Sequence, residues 1–321
     1  MTSFTMEKTT VTSTDGDLRA GIWVPDNSGP RPGIVLVDGS GESLYDDWGE
    51  WVDRYVGCGA VVMAHDKPGC GGSPGDWTTQ SFEDRATDSL AALATLRAHP
   101  SVAGQPVGFL GVSQGGWISL LAAATDPSGP DFVITMSGPA VSPAAQEYYR
   151  IKTTLTAAGF AAVDVGEALA WITERTSRLR AGESPESVLA AQESYADRSW
   201  YAMTTEYLDS AEVLGFVARI QDFDPVPLLP RVQCPVFGAF GGADNLVQAD
   251  ESMQAYLQHL NWEFGNQHAL AVFPGANHGL FTAAPNPATP RTSQLAPGYL
   301  PMVAGFLDRI RERYTSSTLS S

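Results

Sequence analysis

Polar and apolar positions alternate along residues 8–14 and 18–24, with Asp15-Gly16 between them. A period of two turns one face of each segment toward a core, and Asp-Gly suits a tight two-residue turn. A β-hairpin is therefore predicted near the start of the chain. The pattern then changes. Residues 33–37, 60–64, 107–110, 132–136, 236–240 and 269–273 are short, nearly continuous apolar runs, as expected of strands covered on both faces in a parallel sheet. Helical periodicity over residues 82–97, 114–124, 250–260 and 297–313 fills most of the gaps. Buried strands alternating with helices predict an α/β fold, a mostly parallel central sheet flanked by helices.

One segment breaks this rhythm. Residues 142–224 contain no buried-strand run, and 164–180 and 185–207 read as helices rich in Ala, Glu, Arg and aromatics. The expected organisation is a core built from residues 1–141 and 225–321, with a helical insertion at 142–224. Most aromatics of the insertion are expected to pack it onto the core, leaving two or three for a pocket. Residues 283–297 are Pro- and Ala-rich and read as a loop, and the tail 315–321 is expected to fray.

The candidate chemistry begins at Gly111-Val-Ser-Gln-Gly-Gly116, where an apolar run meets a helix. A G-x-S-x-G match in that context lifts the Ser113 hydroxyl clear of the sheet and turns the Gln114 N–H toward whatever the serine attacks. An acid and a base should follow in the order Asp, His. Asp244 follows an apolar run broken by Gly241-Gly242, and His278 lies in Val272-Phe-Pro-Gly-Ala-Asn-His278-Gly. Both fall just past predicted strand ends, the edge where sites in open α/β sheets gather. Ser113 is then the nucleophile, His278 its base, and Asp244 the group that orients the imidazole. His65 competes for the base role, and Asp222 and Asp224 for the acid. Trp117 and Leu280 flank nucleophile and base in sequence and are expected as substrate-binding pocket walls.

Two further stretches carry a family resemblance. Val35-Leu-Val-Asp38-Gly-Ser-Gly41-Glu resembles the H-G-S-G oxyanion loop of the α/β-hydrolases, and Ala64-His-Asp-Lys-Pro-Gly-Cys-Gly-Gly-Ser73-Pro-Gly-Asp-Trp77 resembles their D-x-R-G-x-G-x-S-x-G loop. With the ordered triad, the resemblance covers nearly the whole chain. Within the superfamily the chain looks most like the esterase and serine-aminopeptidase-like hydrolases. It implies an α/β-hydrolase fold whose 142–224 insertion is a lid. It also implies an oxyanion hole from the Gln114 and Ser40 N–H groups, and a serine hydrolase cleaving an ester, thioester, lactone or amide through an acyl-enzyme. Two alternatives remain: the same acyl-enzyme passed to an alcohol or amine, as in an acyltransferase, and a non-hydrolytic member that binds or rearranges a ligand. Two departures stand out. Asp38 replaces the usual histidine and Pro68 the usual arginine. An anion at position 38 opposes a developing oxyanion, so Asp38 is expected to tie down its loop. The competing expectation is a substrate-facing carboxylate beside Glu42.

Composition narrows the setting. A chain of 321 residues, 43% hydrophobic, can bury one α/β core plus an insertion. The 36 acidic and 19 basic residues give a net charge of -17, which disfavours nucleic acid and anionic membranes as partners. No apolar run approaches the ~20 residues that span a bilayer, and the opening residues lack the apolar stretch of a secretion signal. Cys58, Cys70 and Cys234 fit neither metal spacing nor a disulfide framework. The glycines at 69–75 lack the G-K-[ST] ending of a phosphate loop. A cytoplasmic enzyme is expected, acting on a small-molecule acyl substrate with no cofactor and no metal. A homodimer is left open.

Overall fold

The structure, a computed structural model, describes residues 3–26, 29–263, 267–286 and 288–318. Strands β1 (Phe4–Ser13) and β2 (Gly16–Pro25) form the predicted hairpin, in register from Phe4 opposite Pro25 to Ser13 opposite Gly16. The chain continues through β3 (Gly33–Val37), α1 (Glu50–Gly57), β4 (Val61–His65), α2 (Phe82–Arg97), β5 (Val107–Val112), α3 (Gln114–Thr125) and β6 (Val133–Met136). Five helices follow: α4 (Pro143–Ala157), α5 (Ala162–Arg180), α6 (Pro185–Glu193), α7 (Tyr201–Thr205) and α8 (Ala211–Ile220). Then come β7 (Val236–Gly241), α9 (Ala249–His259), β8 (Ala269–Phe273) and α10 (Tyr299–Thr318).

The strands form one sheet in the order β1-β2-β4-β3-β5-β6-β7-β8. β2 pairs antiparallel with β1 and β4, and every other pairing is parallel. Side chains along a strand point to opposite faces, and β3 shows it: Ile34 and Leu36 pack on the face covered by α1 and α10, Val35 and Val37 on the face covered by α2 and α3. This double cover is why the central strands carry no polar alternation. Helix α2 starts at a capping box between Ser81 and Asp84, an arrangement that typically contributes ~1 kcal/mol.

The insertion departs from the sequence expectation in detail. The stretch read as one helix over 185–207 is two, α6 and α7, with the chain turning between them. α4 and α8 had no predicted counterpart, although Ser142 and Ser210 both cap them through side-chain hydrogen bonds. The insertion also has its own apolar cluster, centred on Ile151, Leu155, Trp171, Ile172 and Trp200. It is tied to the core at both ends. From α4, Gln146 Nε2 donates to Leu246 O (3.0 Å), Tyr149 OH to Asp244 O (3.1 Å) and Thr153 Oγ1 to Asn245 O (2.6 Å). At the other end Phe216 of α8 packs edge-on against Trp77, and Arg219 donates to the Thr78 carbonyl.

Helix α10 runs on to Thr318, so residues 315–318 are helical where fraying was expected; 319–321 lie outside the described residues. No helix among the described residues is long and apolar enough to cross a membrane.

Candidate active site

Ser113 sits between β5 and α3 with φ 52° and ψ -118°. That backbone region is costly for a residue with a side chain and persists only where the surroundings impose it. Here they do. Ser113 N donates to Met136 O (3.0 Å), and Ser113 O accepts from Gly116 N (2.8 Å). Gly115 lies against the end of β3, where a Cβ would come within 2.0 Å of Val37 O. Only glycine lets α3 start so close to the end of β3 and Asp38. As the first residue of α3, Gln114 has an N–H ahead of the helical ladder.

Asp244 and His278 meet across the tops of β7 and β8. His278 Nδ1 lies 2.8 Å from Asp244 Oδ2. The other oxygen of Asp244 accepts from the N–H groups of Leu246 (2.8 Å) and Val247 (3.0 Å). The carboxylate is 1% exposed and the imidazole 19%. The His278 turn is fixed in its own right: Ser137 Oγ donates to His278 O (2.7 Å), and Asn277 Oδ1 accepts from Gly279 N and Phe281 N. The close approach of β7 to this turn explains Gly241, whose Cβ would stand 2.3 Å from Asn277 O.

The competing residues are engaged elsewhere. Asp222 pairs with Arg180, Asp224 caps Val226 N, and His65 Nδ1 contacts the Asp66 carbonyl.

Ser113, His278, Gln114 and Ser40 line one cavity of about 570 Å³. Its remaining wall comes mainly from the insertion, including Leu179, Val213, Phe216 and Ile220. Glu42 stands exposed at its edge. Trp117 also lines it, although most of the indole is buried against Phe82 and Phe223, and its Nε1 donates to Val141 O (3.1 Å).

Two expected substrate-binding residues are not among the lining residues. Leu280 is fully buried in the core beneath the His278 turn, with Phe273 and Tyr299 in the same cluster. Its φ of 57° belongs to the turn that takes it there. Asp38 lies behind the 38–42 loop, with Oδ2 3.6 Å from both Lys67 Nζ and Arg85 Nη2.

This brace was not anticipated from sequence. Lys67 Nζ donates to Gly39 O (2.6 Å) and to the Gly41 carbonyl. Arg85 Nη2 donates to Asp38 O (3.1 Å), and its Nη1 bonds Gln114 Oε1. Both cations are nearly fully buried. Burial pushes Lys67 down to about 7, Arg85 adds to the shift and Asp38 opposes it. Arg85 could have been found: it shares the buried face of α2 with Phe82, Ala86 and Ser89, where a charge needs a partner.

A serine on a strained strand–helix corner of a mostly parallel sheet, over a cavity shared with a carboxylate-bonded histidine, defines the class: this is a hydrolase of the α/β-hydrolase superfamily. The sequence profile of the X-Pro dipeptidyl-peptidase (S15) family matches residues 15–275, and the chain belongs to that family. Among curated proteins, acyl-coenzyme A thioesterase 1 of Mus musculus is 32% identical over 110 residues, 34% of this chain. That match covers 25% of the thioesterase, so the chain spans about a quarter of the length of the curated relative it matches. Among solved structures, proline iminopeptidase of Mycobacterium smegmatis is similar with a TM-score of 0.60 and 18% identity, over 96% of this chain and 99% of that one. A carboxyl esterase of Bacillus coagulans has a TM-score of 0.60 and 17% identity, over 95% and 100%. An esterase of Pyrococcus furiosus has 0.61 and 17%, over 96% and 92%. At these identities the likeness establishes the fold.

Proposed function

We propose that this protein hydrolyses carboxylic esters and related acyl compounds through an acyl-enzyme on Ser113. The observation that carries the reading is the strained placement of Ser113 on the cavity that His278 also lines, with His278 held by Asp244. The Ser113 hydroxyl attacks the acyl carbonyl while His278 takes its proton. The N–H groups of Gln114 and Ser40 receive the oxyanion, and each such donor typically contributes ~3 kcal/mol. His278 then passes its proton to the leaving oxygen as the acyl–oxygen bond breaks. It next removes a proton from water as the oxygen attacks the acyl carbon, and returns that proton to Ser113 Oγ as the acyl–serine bond breaks, which releases the acid. Asp244 stays ionised, keeps Nδ1 protonated and stabilises the imidazolium. The helices of 142–224 act as a lid that sets acyl-group size and excludes water. Ester and thioester substrates fit the kinds of protein this chain is similar to, and the family's description adds peptide bonds.

The test is covalent labelling. A fluorophosphonate should modify Ser113 alone, and Ser113→Ala should lose ~10⁴-fold or more in turnover of p-nitrophenyl esters. An adduct at another residue, or none on an active preparation, overturns the assignment.

A further inference from the structure

Four residues other than glycine have a positive φ among the described residues: Ser113 (52°), Ser137 (52°), Gln267 (53°) and Leu280 (57°). A side chain makes this left-handed region costly, so such a residue persists only where its surroundings hold it there. Ser113 is the proposed nucleophile, and Leu280 belongs to the His278 turn. Ser137, just past the end of β6, takes no part in the proposed chemistry. Glycine adopts this backbone without strain, so the fold alone would be served as well by glycine. What serine adds is a hydroxyl.

That hydroxyl is fully buried and donates to His278 O (2.7 Å), 141 positions further along the chain. The backbone around it is held on every side. Ser137 N donates to Ala239 O of β7 (2.8 Å), and Met136 O, in the same peptide group, accepts from Ser113 N (3.0 Å). Gly138 lies against α3, where a Cβ on Gly116 would come within 2.6 Å of Gly138 Cα. The 136–137 peptide thus bonds the serine corner, and the side chain that follows bonds the main chain of the histidine.

We infer that Ser137 is a positioning residue for the base: its left-handed backbone holds the hydroxyl against the His278 carbonyl and so sets how far the imidazole stands from Ser113. This rests on the reading of Ser113 as nucleophile and His278 as base. The two follow β5 and β8, which β6 and β7 separate in the sheet, so their spacing depends on what bridges them. Asp244 holds the ring at Nδ1 (2.8 Å) and fixes its tilt. Ser137 holds the main chain that carries the ring. A reacting group misplaced by about 1 Å can cost about a hundredfold in rate.

The experiment uses two variants and reads stability apart from catalysis. Ser137→Gly removes the hydroxyl and relieves the backbone, whereas Ser137→Ala removes the hydroxyl and keeps the strain. Both should lower kcat and kcat/KM equally on p-nitrophenyl butyrate, by about tenfold or more, and slow fluorophosphonate labelling of Ser113 by a similar factor. Ser137→Gly should do so while melting at or above the Tm of Ser137→Ala. A Ser137→Gly enzyme within about threefold of the parent in kcat, or a loss that only matches the fraction unfolded at the assay temperature, overturns the positioning role while Ser113 labelling of the parent persists. A Ser137→Gly enzyme that melts below Ser137→Ala overturns it too, because the backbone is then not strained. An active parent with Ser113 unlabelled overturns the nucleophile assignment, and this inference with it.

Discussion

Replacing Lys67 by methionine tests whether buried charge orients the oxyanion loop. Lys67 Nζ draws the Gly39 carbonyl toward itself at 2.6 Å. In a trans peptide the carbonyl of one residue and the N–H of the next point in opposite directions. The Ser40 N–H is therefore directed away from Lys67, and Ser40 lines the cavity. Methionine fills the volume and donates nothing, so the Gly39–Ser40 peptide is free to turn. Arg85 still holds Asp38 O and the Gln114 side chain, so only one of the two donors is at stake. One donor at ~3 kcal/mol corresponds to about a hundredfold in kcat, with KM little changed. The pH profile supplies a second readout. Lys67, which faces Asp38, Arg85 and Cys70, is held down to about 7, first by burial. The ammonium is present below that value and lost above it. The cluster of Asp38, Lys67 and Arg85 then falls from one net positive charge to none as pH rises. Parent kcat on a neutral p-nitrophenyl ester should decline as pH rises through about 7, and Lys67→Met should lack that limb. Asp38→Asn should cost less than Lys67→Met, because the amide still accepts from both cations. Steady-state kinetics from pH 5 to 9 (roughly the span of the assay) with a thermal melt of each variant decide the matter. A Lys67→Met enzyme within about threefold of the parent, at unchanged Tm, refutes the orienting role.

Three further outcomes are expected. His278→Ala should cost about as much as Ser113→Ala, and the double variant little more, since groups acting as one unit are not additive; His65→Ala should retain most turnover. Gly115→Ala should destabilise the fold by about 3 kcal/mol in urea denaturation, because the new Cβ would need to displace the Val37 carbonyl 2.0 Å away. Acid should loosen the insertion before the sheet. Burial alone would raise Glu147, but Arg150 and Arg175 outweigh it and hold its carboxyl below the ordinary 4.5. Its contribution is thus complete above that value and lost as pH falls through the lower folded one. Hydrogen exchange should show α4 and α5 losing protection ahead of β3–β7, and equal protection at every pH would count against the Glu147 clamp.

The sheet was legible because its strands are buried on both faces, which leaves apolar runs such as 107–110 and 236–240 with no rival interpretation. The positions of Ser113, Asp244 and His278 were legible for a related reason: polar residues and glycines interrupt the sequence where those strands end. The brace behind the 38–42 loop was legible only in part: Arg85 shares the apolar face of α2, but Lys67 looks like an ordinary surface charge until its neighbours are known. Leu280 shows the opposite error. It stands two residues from His278, yet the turn's left-handed backbone sends it under the sheet edge. In the insertion, sequence periodicity revealed helix but not where it breaks, between Glu193 at the end of α6 and Tyr201 at the start of α7.

The stitching of α4 to the Asp244 loop makes the roof over the cavity mechanically unequal. Gln146, Tyr149 and Thr153 bind three consecutive carbonyls, those of Leu246, Asp244 and Asn245. The Asp244 carboxylate itself grips the amides of Leu246 and Val247. An upward swing of the whole insertion would drag that loop with it and pull the carboxylate off His278. Helix α4 thus serves as a fixed doorpost. On the lid reading, substrate would enter at the opposite end, where α8 rests on the 77–79 turn through Phe216 and Arg219 and, among the described residues, carries no bond to the Asp244 loop.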